Sequence, residues 1–116
     1  MKDDKLYLIH ILECIERIQQ YTANGSIEFF GDTKTQDAVM RNLHTLAEST
    51  QRISEKLKNE NPHVNWRDIA AFRNVIVHDY LGIDSKRIWD IVEKDLSDLK
   101  TQIITLLDKL GFRAAN

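Results

Sequence analysis

The chain has 116 residues, 42% of them hydrophobic and 29% charged, with a formal net charge of −2. That is one domain's worth of chain, residues 1–116, and its 4 Gly and 1 Pro exclude collagen-like, proline-rich and glycine-linker classes. A charge this near neutral also excludes a generally basic coat for nucleic acid, so any phosphate contact has to come from a few placed Arg or Lys side chains.

Location and cofactor follow from what the composition lacks. No apolar run approaches the ~20 residues of a membrane span. The start, MKDDKLYLIH, is charged and then amphipathic, without a signal-peptide core. A lone Cys14 makes no internal disulfide, which suits a reducing compartment. The expectation is a cytoplasmic protein with no membrane partner. The 4 His and 1 Cys include no CxxC or HExxH, so no metal and no cofactor are expected.

Punctuation at Asn24–Asp32, Asn59–Pro62 and Leu81–Ser85 divides the chain into four segments, each long enough for a helix. In the first, about 4–22, Leu8, Ile11, Leu12, Ile15 and Ile18 form one helical stripe, with Asp3 and Asp4 as its acidic start. The stretch 25–32 (GSIEFFGD) is too apolar at Phe29 and Phe30 for a free loop, and predicts a short helical turn folded back on the bundle. Thr33 and Gln36 read as a capping box opening a second helix that runs to about Lys58, with Val39, Leu43, Leu46, Thr50, Ile53 and Leu57 on one face. Asn65 is a good N-cap for the third helix, with Asp68 near the positive end of its dipole. The fourth opens at Asp84 or Ser85, carries the stripe Trp89, Val92, Leu96, Leu99, Ile103, Leu106 and Leu110, and ends on Gly111 as C-cap. The predicted fold is all-α: an antiparallel four-helix bundle, with the 25–32 turn as a short fifth element.

The third segment carries the chemistry. On a helical wheel Trp66, Ile69, Ala70, Phe72, Ile76, Val77 and Tyr80 share one apolar arc, with Arg73 in its middle. A guanidinium aimed at an apolar face is costly unless paired or met by another molecule. Asn74 and His78 share a different face, and Arg73 and His78 point about 140° apart on an ideal helix. Three resolutions stand open. The helix ends near Val77 and lets His78 swing round, or Arg73 curls out of the arc, or the site is composite across a dimer. The ordinary structural reading makes Arg73 an ion-pair partner of Glu48, His78 a helix C-cap and Tyr80 a half-buried aromatic. His10, His44 and His63 read as surface or packing residues, and Arg41 and Arg52 as a solvated face.

Beyond spacing, Arg73-Asn74-Val75-Ile76-Val77-His78-Asp79-Tyr80 resembles the R-x4-H-x-Y signature of HepT toxins, members of the HEPN superfamily. The resemblance extends over residues 66–84 and over T-x-D-A-V-x-R-N-L-x-x-x-x-E at 35–48, and covers essentially the whole chain. One departure is Ala47, where relatives usually carry Gly; a helix interior favours Ala there by up to ~1 kcal/mol. The resemblance implies a HEPN-type bundle, a homodimer and metal-independent RNA cleavage. It also implies a nucleotidyltransferase antitoxin of the MntA type that transfers AMP onto the motif tyrosine, here Tyr80. DNA is not an expected partner.

The residue types suit that chemistry. RNA carries its own nucleophile, the 2′-hydroxyl, so the enzyme needs only to move protons and to stabilise charge on phosphorus. An imidazole titrates near cytosolic pH, which fits His78 as general acid–base. A guanidinium is a permanent fork of donors, which fits Arg73 as phosphate clamp. Asn74 would orient His78 or the phosphate. One histidine per chain is short of two proton-transfer groups, and a two-fold dimer would supply the second. AMP on Tyr80 would occupy the Arg73 clamp with its own phosphate. Glu48, Arg67 and Lys86 are further candidates for the site or its basic surround. The alternative function is a non-catalytic HEPN module that binds nucleotide or RNA, or serves as a dimeric adaptor.

Overall fold

A computed structural model describes residues 2–77 and 84–112, and the architecture below concerns those residues. They form α1 (Lys2–Tyr21), α2 (Ser26–Gly31), α3 (Thr33–Gln51), α4 (Glu55–Glu60), α5 (Trp66–Val77), α6 (Ser85–Asp90), a π-helical turn (Ile91–Asp95) and α7 (Leu96–Lys109). No strand occurs among them, and the fold is an all-α bundle of the HEPN type. Packing runs in the order α5, α3, α1, α7.

The stripes predicted for the first two segments are the core. Leu8, Ile11, Ile15 and Ile18 of α1 are fully buried against Val39, Leu43 and Leu46 of α3, and Leu96, Ile103, Leu106 and Leu107 of α7 complete the interior. Each such side chain contributes about 1.5–3 kcal/mol on leaving water. The 25–32 turn is α2, and its Phe29 is buried with its ring 5.2 Å from that of Trp89. Gly111 ends α7 as expected. Its φ of +86° admits a Schellman pair, Phe112 N–H donating to Leu107 O at 2.9 Å and Gly111 N–H to Asp108 O at 3.0 Å.

Three local readings change. The N-cap of α3 is Asp32, not Thr33: its carboxylate accepts from Lys34 N at 3.0 Å and from Thr35 Oγ1 at 2.8 Å. Gln36 is therefore freed from a capping box and donates Nε2 to Phe29 O and Phe30 O at 2.9 and 3.2 Å, which ties α2 to α3. The second helix does not run unbroken to Lys58. It stops at Gln51 and restarts at Glu55, with Ser54 as the N-cap between. The cause is tertiary. The buried Asp4 carboxylate of α1 accepts from Ser54 N at 2.8 Å and from Ser54 Oγ at 2.6 Å, holding Ser54 in an extended conformation that no helix continues.

The fourth segment is also not one regular helix. Ile91 and Leu96 are both buried, five residues apart, a spacing that an α-helix would turn about 140° out of line. The π turn closes the gap, with Leu96 N–H bonded to Ile91 O. This shift buries Ile88, Ile91 and Leu107, and leaves the predicted stripe residue Leu110 at 38% exposure.

Candidate functional site

Helix α5 opens on a reciprocal cap. Asn65 Oδ1 accepts from Asp68 N at 3.3 Å, the N-cap that the sequence led one to expect, and Asn65 Nδ2 also donates to Asp68 Oδ2 at 2.6 Å. Trp66 Nε1 donates to Asn61 O at 3.0 Å, and buried Ile69 and Phe72 anchor the helix against the core.

Arg73 is not in the middle of an apolar arc. Among the described side chains of that arc, Ile69 and Phe72 are buried, Trp66 and Ala70 are only half-buried, and Arg73 is exposed. Its guanidinium lies along α3, with Nε 3.1 Å from Glu48 Oε1 and Nη1 donating to Gln51 Oε1 at 3.3 Å. Glu48 and Gln51 are three residues apart on α3, so one helical face holds the guanidinium at two points. The guanidinium thus carries one hydrogen bond and one ion-pair contact, and among the described residues it has no other partner, so N–H donors remain for a ligand. The Glu48 pairing is thus the one the sequence suggested, and the charge alone does not demand a second molecule.

Asn74 is exposed beside Arg73. Together with Gln51, Arg67, Ala70 and Ala71, the two line an open hollow of about 500 Å3. The structure therefore brings Arg73, Asn74 and Arg67 to one surface, with Glu48 behind Arg73. Lys86 is exposed but does not line this hollow. His78 and Tyr80 lie outside the described residues.

Gln51 is the group the sequence reading missed. Its signal was available: it follows Glu48 by three residues, so any partner of Glu48 comes within its reach. His44 is closer to the site than a surface reading implied, with Nε2 3.7 Å from the Glu48 oxygen that pairs with Arg73. That distance is an electrostatic contact and too long for a hydrogen bond. Cys14, by contrast, is buried in α1, and burial pushes its thiol up, so it is a packing residue. Among the described residues no group of three or more His, Cys, Asp or Glu side chains could hold a metal ion. No described helix is long and apolar enough to cross a membrane.

A strand-free helical bundle, with an arginine and an asparagine adjacent on one exposed helical flank, is consistent with a HEPN-type domain. The comparisons narrow this. The model of the ribonuclease HepT-like family matches residues 11–106, and the chain belongs to that family. A probable ribonuclease HepT of Thermococcus cleftensis is 36% identical over 100 residues, 85% of this chain and 91% of the relative. A putative RNase of Methanocaldococcus jannaschii is 38% identical over 101 residues, 85% of this chain and 84% of the relative. A longer protein of the same organism, named as a gamma-glutamylcyclotransferase and putative RNase, is 34% identical over 110 residues, 94% of this chain. The chain spans only 50% of that protein's length. No solved structure matches the chain.

Proposed function

We propose that this chain is a ribonuclease toxin that cleaves RNA without a metal ion, through Arg73, Asn74 and His78 of two subunits meeting at one cleft. In the reaction the RNA 2′-hydroxyl gives up its proton to an imidazole and attacks the adjacent phosphorus. The bond from phosphorus to the 5′-oxygen breaks, and that oxygen takes a proton from the second imidazole of the dimer. The products are a 2′,3′-cyclic phosphate and a 5′-hydroxyl. Arg73 balances the extra charge on the phosphoryl oxygens, and proton transfer by His78 supplies about 10²–10⁴ in rate.

The observation that carries this reading is the posture of Arg73. Its guanidinium is held at two points by α3 and still faces an open hollow with donors to spare. Pre-set geometry of that kind suits a clamp on a reacting phosphate. The names of the relatives, a probable ribonuclease HepT and putative RNases, support the same class.

The second half of the proposal is control by an MntA-type nucleotidyltransferase. The Tyr80 hydroxyl attacks the α-phosphorus of ATP, pyrophosphate leaves, and a tyrosyl phosphodiester of AMP remains. Its single negative charge would sit on the Arg73 clamp and exclude RNA.

The test is induced expression of wild type, His78→Ala and Arg73→Ala without the partner, followed by RNA analysis and by cleavage in vitro with and without a chelator. Wild type is expected to arrest growth and to cut in vitro with or without the chelator, and both variants to be folded and harmless. Equal toxicity from the variants would instead make the chain a binding module. Intact mass after co-expression with the transferase reads the modification, and a Tyr80→Phe chain that still gains AMP would refute the assignment.

A further inference from the structure

The two flanks of α5 carry opposite charge. On one side it borders two adjoining hollows of about 210 Å3 each, where Asp68, Asp90, Asp95 and Asp98 outnumber Arg87 and Lys94. On the other side lies the hollow of about 500 Å3 with Arg67 and Arg73, and among the described residues no carboxylate lines it. A chain of net charge −2 thus keeps one face fit for a polyanion.

The two arginines of that face are not equivalent. Glu48 compensates the charge of Arg73 at 3.1 Å. Arg67 is exposed and has no ion pair among the described residues. The uncompensated charge of the hollow is therefore that of Arg67. It stands six residues before Arg73, about 9 Å along the helix axis. Between and beside them Ala70 and Ala71 form a half-buried floor with no side chain beyond Cβ, and Gln51 and Asn74 offer amides at the rim.

We infer that this hollow is a subsite for single-stranded RNA, in which Arg67 holds a backbone phosphate flanking the one at Arg73 and the two alanines take the apolar face of a ribose or base. The strand then runs from the motif end of α5 toward its N-terminus, kept off the opposite flank by the four aspartates. The inference rests on the ribonuclease reading above and adds the path of the substrate to it.

The test uses the full chain and a short single-stranded oligouridylate with methylated 2′-hydroxyls, which binds but cannot be cut. Affinity is measured against salt for wild type, Arg67→Gln, Arg67→Lys, Arg73→Ala and Lys34→Gln. Lys34 opens α3, about 25 Å along that helix from Gln51, and serves as a control for bulk charge. One lost phosphate contact on a single strand lowers the slope of log affinity against log salt by about 0.7. Arg67→Gln is therefore expected to bind about five-fold more weakly at 0.1 M salt and about two-fold at 0.4 M. Arg67→Lys should restore the slope, Lys34→Gln should match wild type, and a duplex should bind less tightly than the single strand.

Wild-type affinity and slope in Arg67→Gln, with binding weakened in Arg73→Ala, would overturn the subsite and leave the ribonuclease reading standing. A loss in Lys34→Gln equal to that in Arg67→Gln would show diffuse attraction and no subsite. If the wild type neither bound this RNA nor cut its unmethylated form, the ribonuclease reading would fall and take the subsite with it. Should Arg67→Gln keep RNA and lose capture of the transferase, the face is a protein interface and the inference is wrong.

Discussion

Glu48 holds Arg73 by one carboxylate oxygen, and two substitutions separate what that oxygen does. Glu48→Gln keeps an acceptor within reach of Arg73 Nε and removes the charge. Glu48→Ala removes both. The pair is surface-exposed, with side chains 45% and 34% accessible, so either change costs no more than about 1 kcal/mol of stability. For a domain of this size that is a fall in Tm of about 4–5 °C or less. The effects on cleavage should differ in kind. A carboxylate roughly 5 Å from a bound phosphate repels it by about 0.8 kcal/mol in a water-like medium, so removing the charge should lower KM about four-fold in both variants. Only the alanine variant leaves the guanidinium held at a single point, Gln51, and loosens it. Restoring about 1–2 kcal/mol of side-chain freedom means it must be re-ordered in the transition state, and kcat should drop about ten-fold. Steady-state cleavage of a fluorogenic single-stranded RNA, alongside thermal unfolding, reads both. If kcat fell equally in the glutamine variant, the negative charge would be part of the chemistry, and a positioning role for Glu48 would be refuted.

Three further outcomes test the scaffold. Asp4→Ala removes two charge-assisted acceptors from Ser54 and is expected to cost about 2–4 kcal/mol, read as a lower urea midpoint with little change in slope. Gly111→Ala meets no atom within 4 Å, so its cost is backbone strain at φ +86° alone, about 1–2 kcal/mol by the same denaturation. At the N-cap of α3, the hydrogen bond from Thr35 and then the backbone amides of Lys34 and Thr35 hold the Asp32 carboxyl below the usual carboxylate range. A depressed folded value stabilises above the unfolded pKa of about 3.9 and fades as pH falls through the folded one. The gap in Tm between wild type and Asp32→Ala should thus be full at neutral pH and narrow below about pH 4.

What was legible in the sequence was whatever period and local chemistry decide. Leu8 to Ile18 in α1 and Val39 to Thr50 in α3 read correctly because each stripe faces the core at ordinary helical spacing, and Ile53 and Leu57 are buried although the helix breaks around Ile53. The Asn65 N-cap and the Gly111 stop read correctly because their partners lie within a turn. The break at Ser54 was hidden because its cause, Asp4, is 50 residues away and no glycine or proline marks the place. The π turn was hidden because alternate residues, Val92 for Ile91 and Leu110 for Leu107, kept an unbroken α pattern plausible. At the site, Glu48 was found through charge complementarity. Gln51 and the exposure of Arg73 were not, since a wheel assigns directions and cannot say how wide a face the neighbours cover.

The π turn also bears on the sidedness of α5. One extra residue in the turn keeps Ile91 and Leu96 both on the core side, and the residues around them are carried with that register. Asp95, the last residue of the π turn, and Asp98, in the first turn of α7, both end up lining the hollows beside Asp68 and Phe72. An α-helical path through the same residues would turn the second half of the segment by roughly 100° about its axis, and the Leu96–Leu99–Ile103 stripe and the two aspartates would leave their present faces together. Burying the stripe outweighs placing the carboxylates, at about 1.5–3 kcal/mol per side chain, so packing selects the π turn and the acidic flank follows from it. Deleting Lys94 leaves Ile91 and Leu96 four residues apart, a spacing an α-helix keeps on one face, so the straightened segment should hold the core at Ile91, Leu96 and Ile103 and keep Asp90, Asp95 and Asp98 on their present faces, read as unchanged salt dependence of RNA binding on a folded bundle. An unfolded deletion variant would mean instead that the turn is needed for packing on both of its sides.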